Sequence, residues 1–294
     1  MAPAPSLTSS SLRSLRSPRS FALASLLALA GPALGCSDEA THTASIVGDT
    51  AIGAGLPASS FVDNWTVQFD QFVVVVQHPA LIEQTEAKPA WIRFLGVSVW
   101  DLAAPLEGGT SSFEIDSLVV RASSYDGFDF RIAPPSRSGY PTESGNVDDA
   151  TLAAMIADDA AIRVVGSATD GVQTISFDWS FATDTLYRCG VEVELGAGEV
   201  GSSVIEIHGD RLFANQLGDA SPTLEFAAIA AADADGDGVV TLTELDAVDL
   251  ASIGYDANGE DVTDLGAFVR ALSRSLGTII DSSGCEVIEP IVEG

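Results

Sequence analysis

The chain has 294 residues, 46% of them hydrophobic and 19% charged, which is enough to bury a sizeable core. Thirteen basic side chains face 42 acidic ones, a formal net charge of −29. A surface this anionic repels phosphate backbones, which argues against nucleic acid as a partner, and it suits divalent cations.

Residues 1–35 read as an export signal. Arg13, Arg16 and Arg19 make a positive start, residues 21–30 form an apolar run too short to span a bilayer, and small residues follow. The end of this stretch, Ala33-Leu34-Gly35-Cys36, resembles a bacterial lipobox, with Ala33 standing where leucine is usual. The resemblance implies that Cys36 becomes a lipidated N-terminus, anchoring the protein to a membrane without a transmembrane helix. The expected location is the cell envelope, at the outer membrane or in the periplasm. Cleavage after Ala28-Leu29-Ala30, giving a secreted chain, is the rival reading. Export leads to an oxidising compartment, where Cys189 and Cys285 are expected to form one disulfide.

Residues 36–60 are rich in Ser, Thr, Ala and Gly without a strong period, and read as a flexible tether. Residues 61–217 read as mostly strand. Trp65, Val67 and Phe69 alternate with polar residues, as do Phe128, Phe130 and Ile132, then Ile175, Phe177, Trp179 and Phe181. Turn signals at Gly108-Gly109, Asp126-Gly127, Pro134-Pro135 and Asp170-Gly171 separate the runs. About eight short strands so punctuated predict an antiparallel sandwich. One helix interrupts them over residues 149–160, with Leu152, Met155 and Ile156 on one face.

From residue 218 the period becomes helical. Ser221-Pro222 has the form of an N-cap and first turn. A later helix over residues 263–276 carries Leu265, Phe268, Val269 and Leu272 as one apolar stripe. The expected class is therefore α+β: an antiparallel β-sandwich-like domain (61–217) followed by a small helical unit (218–294).

Between those helices lies Asp233-Ala234-Asp235-Gly236-Asp237-Gly238-Val239-Val240-Thr241-Leu242-Thr243-Glu244. This stretch resembles the calcium loop of an EF-hand. Ca²⁺ is a hard ion that takes six to eight oxygens. The resemblance implies carboxylate ligands from Asp233, Asp235 and Asp237 and a sharp turn at Gly238. It also implies the backbone carbonyl of Val239, an apolar plug at Val240, Thr241 directly or through water, and a bidentate Glu244. The family usually pairs two such loops. A second segment starting at Asp256 departs from the pattern, since Asp261 stands where glycine should be and Ala267 at the last ligand position. It is expected to be a turn leading into a helix. A lone loop is expected to bind at roughly 10⁻⁴ to 10⁻³ M, the range of extracellular modules.

Other chemistry finds less support. His78 and His208 both end strand-like runs and offer an alternative, a transition-metal site shared with a carboxylate such as Asp210. No metalloprotease, nucleophile-elbow or phosphate-loop motif is present, and Lys88 is the only lysine. The chain therefore reads as a non-enzymatic calcium-binding protein, with a calcium-stabilised hydrolase in the β region as a further alternative. Trp65, Trp91, Trp100 and Trp179 lie in apolar strand patterns and are expected to pack in the core rather than form a sugar or peptide platform.

Overall fold

Alternation of apolar and polar residues builds two β-sheets in the computed structural model, which describes residues 38–83, 88–105, 112–218 and 221–288. The expected export signal (1–35), the lipidation residue Cys36 and the Gly108-Gly109 turn lie outside the described residues. The first half of the chain forms β1 (Glu39–Gly48), α1 (Thr50–Ala54), β2 (Thr66–Glu83), β3 (Ala90–Arg93), β4 (Val97–Asp101), β5 (Phe113–Arg121), β6 (Ser124–Ile132) and β7 (Thr142–Ser144). Then come α2 (Asp149–Ala157), β8 (Ile162–Thr169), β9 (Thr174–Phe181), β10 (Thr185–Glu194) and β11 (Val200–Ile207). The last part holds α3 (Ala227–Ala230), β12 (Val239–Val240), α4 (Leu242–Leu245), α5 (Leu250–Ile253), α6 (Leu265–Leu272), β13 (Gly277–Ile279) and β14 (Cys285–Ile288). The class is α+β, mainly strand and β-sandwich-like.

The smaller sheet has the order β13-β11-β1-β5. The larger runs β12-β9-β8-β2-β6-β10-β14, with β3 and β4 also on β2 and β7 on β4. Most pairs are antiparallel, while β1–β11, β4–β7 and β12–β9 are parallel. The sheets share one apolar core. Ala44, Ile46, Ile205 and Ile207 of the small sheet belong to the same cluster as Phe72, Phe128, Phe130 and Phe177 of the large one. The ring of His42 in β1 lies 6.3 Å from Phe94 and 6.4 Å from Phe128.

Three expectations are corrected. Residues 39–48 of the expected tether form β1, held between β11 and β5. Its inward positions are Ala40, His42, Ala44 and Ile46, all buried. Small and polar residues at alternate positions carry too little hydropathy to show the two-residue period. The boundary near residue 217 also disappears, since the described residues belong to one packed unit. The C-terminal part adds β12 to β9, β13 to β11 and β14 to β10. Finally, Ser221-Pro222 starts no helix. The chain stays extended, Leu224 bridges to Phe61 and Ala214, and the first helix is α3. The Oδ2 atom of Asp63, far away in sequence, accepts the N–H groups of Phe226 and Ala227 at 2.7 and 2.6 Å. That carboxylate satisfies two donors at the start of α3.

Cys189 of β10 stands opposite Cys285 of β14, and their sulfurs are bonded at 2.01 Å. The apolar stripe predicted in the last helix is buried on α6, which Asp264 caps through Ala267 N at 2.7 Å. This helix ends at Leu272 and gives way to a 3-10 turn, so it is shorter than expected. Not all four tryptophans pack in the core as expected. Trp65 and Trp179 are core residues, Trp100 stacks on Phe113, and Trp91 is 43% exposed.

Candidate metal centre

The loop from Asp233 to Glu244 links α3 to α4, and its own carboxylates fold it. Asp233 Oδ1 accepts from Gly236 N at 2.9 Å, and Asp233 Oδ2 accepts from Gly238 N at 3.1 Å. Asp235 Oδ1 accepts from Asp237 N at 3.2 Å, and Asp237 Oδ1 from Val239 N at 2.8 Å. These turns need backbone that residues with a Cβ rarely adopt, and Gly236 and Gly238 supply it with φ of +74° and +80°. One oxygen from each of Asp233, Asp235 and Asp237 ends within 4.8 Å of the other two. Like charges at that spacing repel by about 1 kcal/mol per pair even at the dielectric constant of water, and a cation between them reverses the sign.

Glu244 stands outside that group of three. Its carboxylate ties the two ends of the loop together. Oε1 accepts from Ala234 N at 3.3 Å, while Oε2 accepts from the N–H and the hydroxyl of Thr241, each at 2.9 Å. Thr241 in turn accepts from Glu244 N at 3.2 Å, completing a capping box at the start of α4. The hydrogen bonds from Thr241 hold the Glu244 carboxyl below the usual carboxylate range.

The loop is also fixed to the sheet. Val239 and Val240 form β12, which pairs in parallel with Ser176 and Phe177 of β9. Ser176 N donates to Gly238 O at 2.8 Å, and Trp179 Nε1 donates to Val240 O at 2.9 Å. Val240 is fully buried, so the apolar plug sits in the main core. The edge of the large sheet thus holds the middle of the loop. The segment after Asp256 forms a turn, with Asp256 Oδ1 accepting from Asn258 N at 2.8 Å and Asn258 and Gly259 at positive φ.

The donor set fits a hard divalent ion. All the side-chain donors are oxygens, and oxygens on opposite sides of Ca²⁺ lie about 4.6–5.2 Å apart at its usual bond lengths. One oxygen from each of Asp233, Asp235 and Asp237 lies within 4.8 Å of the other two, no farther apart than two ligands of one such ion can be.

The two strand-end histidines have different surroundings. His78 lies in β2, where a bulge gives it a φ of +48° and shifts the register with β6. It lines a cavity of about 280 Å³ with Trp91, Arg93, Asp129, Arg131 and Arg188. Burial, then the charges of Arg93 and Arg131, push its pKa below the ordinary value. Those guanidinium groups repel a metal cation. Asp129, the one carboxylate lining that cavity among the described residues, is paired with Arg188 and Trp91. His208 follows β11 in the other sheet, beside Asp49 and Asp210. The pair predicted from sequence is therefore not joined in one cluster, although His208 and Asp210 are. The third member, Asp49, carries no local signal, because it lies among the small and polar residues 36–60, which show no strong period. His208 Nδ1 is 3.7 Å from Asp49 Oδ2, too far for the hydrogen bond that a serine-type relay needs.

Comparison with protein-family models, with curated proteins and with solved structures finds no match. The functional reading therefore rests on the residues themselves. No helix among the described residues is long and apolar enough to cross a membrane.

Proposed function

We propose that this chain binds one Ca²⁺ ion in the loop between Asp233 and Glu244, as an exported, lipid-anchored protein of the cell envelope. The observation that carries the reading is the convergence of the Asp233, Asp235 and Asp237 carboxylates within 4.8 Å on a glycine-turned loop. The ion takes these three carboxylates, the carbonyl of Val239, and Thr241 directly or through water. Glu244 completes the shell by exchanging its bonds to Thr241 for the cation. Binding relieves the repulsion among the aspartates and orders the connection between α3 and α4. Because β12 lies on β9, the effect reaches the sheet.

The role of such an ion is structural or supports an interaction, not catalysis. At the affinity of roughly 10⁻⁴ to 10⁻³ M typical of extracellular modules, the site is about half to nine-tenths filled at about 1 mM calcium. The membrane attachment rests on Cys36 and the small residues before it. Calorimetric titration of the full-length protein tests the calcium reading. One site with a midpoint at or below the millimolar range is expected, lost in Glu244→Gln. The absence of heat at millimolar Ca²⁺, or equal heat from the variant, removes it.

A further inference from the structure

We propose that Asp49, His208 and Asp210 form a second metal site, suited to Zn²⁺ and independent of the calcium loop. The parallel pairing of β1 and β11 creates it. Gly48 stands opposite Ile207, and Asp49 N donates to Ile207 O at 2.9 Å. The carboxyl ends of two strands distant in sequence therefore deliver Asp49 and His208 side by side. Gly209 then turns the chain so that Asp210 joins them. A Cβ at Gly209 would meet the side chain of Ile52 at 2.6 Å and force it to shift, so glycine allows the close approach. One ligand atom from each of the three residues lies within 4.8 Å of the other two.

Each group is prepared for a metal by its other bonds. Asp49 Oδ1 accepts the N–H of Ile52 at 3.0 Å and of Gly209 at 3.3 Å, leaving Oδ2 to face His208 Nδ1. His208 Nε2 meets Thr278 Oγ1 at 2.8 Å and Glu206 Oε2 at 3.4 Å. In the tautomer with the proton on Nε2, shared with this carboxylate and hydroxyl, the Nδ1 lone pair faces the cluster. This is the outer arrangement that orients metal-bound imidazoles. Asp210 Oδ1 is shut off from solvent without a hydrogen-bond partner. A buried carboxylate oxygen left unpaired is costly, and a cation supplies the missing partner.

The donor set selects the ion. An imidazole nitrogen with two carboxylates favours zinc or a neighbouring transition metal over calcium. Zinc bonds of about 2.0–2.2 Å hold tetrahedral donors roughly 3.3–3.6 Å apart, so small side-chain rotations draw the cluster in. Three protein ligands leave one position for water.

The test uses full-length protein stripped of metal and kept in excess Ca²⁺, so that residues 233–244 do not compete. Titration with Zn²⁺ is expected to show one equivalent bound. Asp210→Asn and His208→Gln are expected to weaken it at least tenfold, and Thr278→Val by about ten- to a hundredfold through the outer shell. In Glu244→Gln, whose emptied loop can take up further zinc, the imidazole-containing Zn²⁺ site persists, which separates this site from the calcium loop. X-ray absorption of the Zn²⁺-loaded wild-type protein needs no variant and is expected to show a single imidazole among oxygen ligands. No stoichiometric Zn²⁺, a zinc shell without imidazole, or undiminished binding in His208→Gln overturns the proposal. A pair of carboxyls sharing a proton, with no ion, gives the first of these results.

Discussion

The indole Nε1 of Trp179 donates to the carbonyl oxygen of Val240 at 2.9 Å. Trp179 is wholly buried on β9 and stacks on Phe177, so this bond ties the eighth residue of the acidic loop to the centre of the core. No second acidic loop pairs with this one among the described residues. Here β9 pairs with it, which gives the loop a rigid base without a second copy.

Trp179→Phe keeps an aromatic ring and removes the donor. Losing one buried hydrogen bond costs about 1–2 kcal/mol. Urea unfolding is expected to show that loss, with weaker Ca²⁺ binding because β12 is held less firmly. An unchanged urea midpoint together with unchanged Ca²⁺ affinity contradicts the anchoring role.

Calcium should stabilise the fold by mass action. For a dissociation constant of about 10⁻⁴ to 10⁻³ M, 10 mM Ca²⁺ adds roughly 1.4–2.7 kcal/mol to unfolding. Glu244→Gln is expected to lose most of that gain, and Asp256→Asn to keep it. Thermal melts with and without Ca²⁺ distinguish the two.

Cys189 and Cys285 close a loop with a sequence separation of 96. In the chain-entropy picture such a link contributes about 4–5 kcal/mol, less any strain. Replacing both cysteines by alanine is expected to lower the urea midpoint by a comparable amount, and added reductant to have no further effect on that variant. A midpoint equal to the oxidised wild type shows that the link carries little of the stability.

His42 predicts a pH dependence. Burial lowers its pKa from 6.5 to about 4, and Nδ1 has no hydrogen-bond partner. The folded state therefore keeps this ring neutral while the unfolded chain takes up a proton. Its contribution is complete above pH 6.5 and is lost as pH falls toward 4, amounting to about 3 kcal/mol. His42→Leu removes this component of the acid sensitivity. Equal slopes for wild type and variant between those limits refute the assignment.

Some of this was legible in the sequence alone. The spacing of Asp233, Asp235, Asp237 and Gly238 determines a tight acidic turn, because each carboxylate reaches only the N–H groups a few residues ahead. The alternation from Ile175 to Phe181 determines strand β9, and the stripe from Leu265 to Leu272 determines α6, since these periods are local. Tertiary structure alone decided that residues 39–48 are a strand between two others, that Asp63 caps α3, that β9 receives β12, and that Asp49 meets His208. Each of these depends on pairing between segments far apart in the chain. Backbone hydrogen bonds between strands are the same for every residue except proline, so such pairings leave no periodic trace in the sequence. They are selected only when the whole core closes.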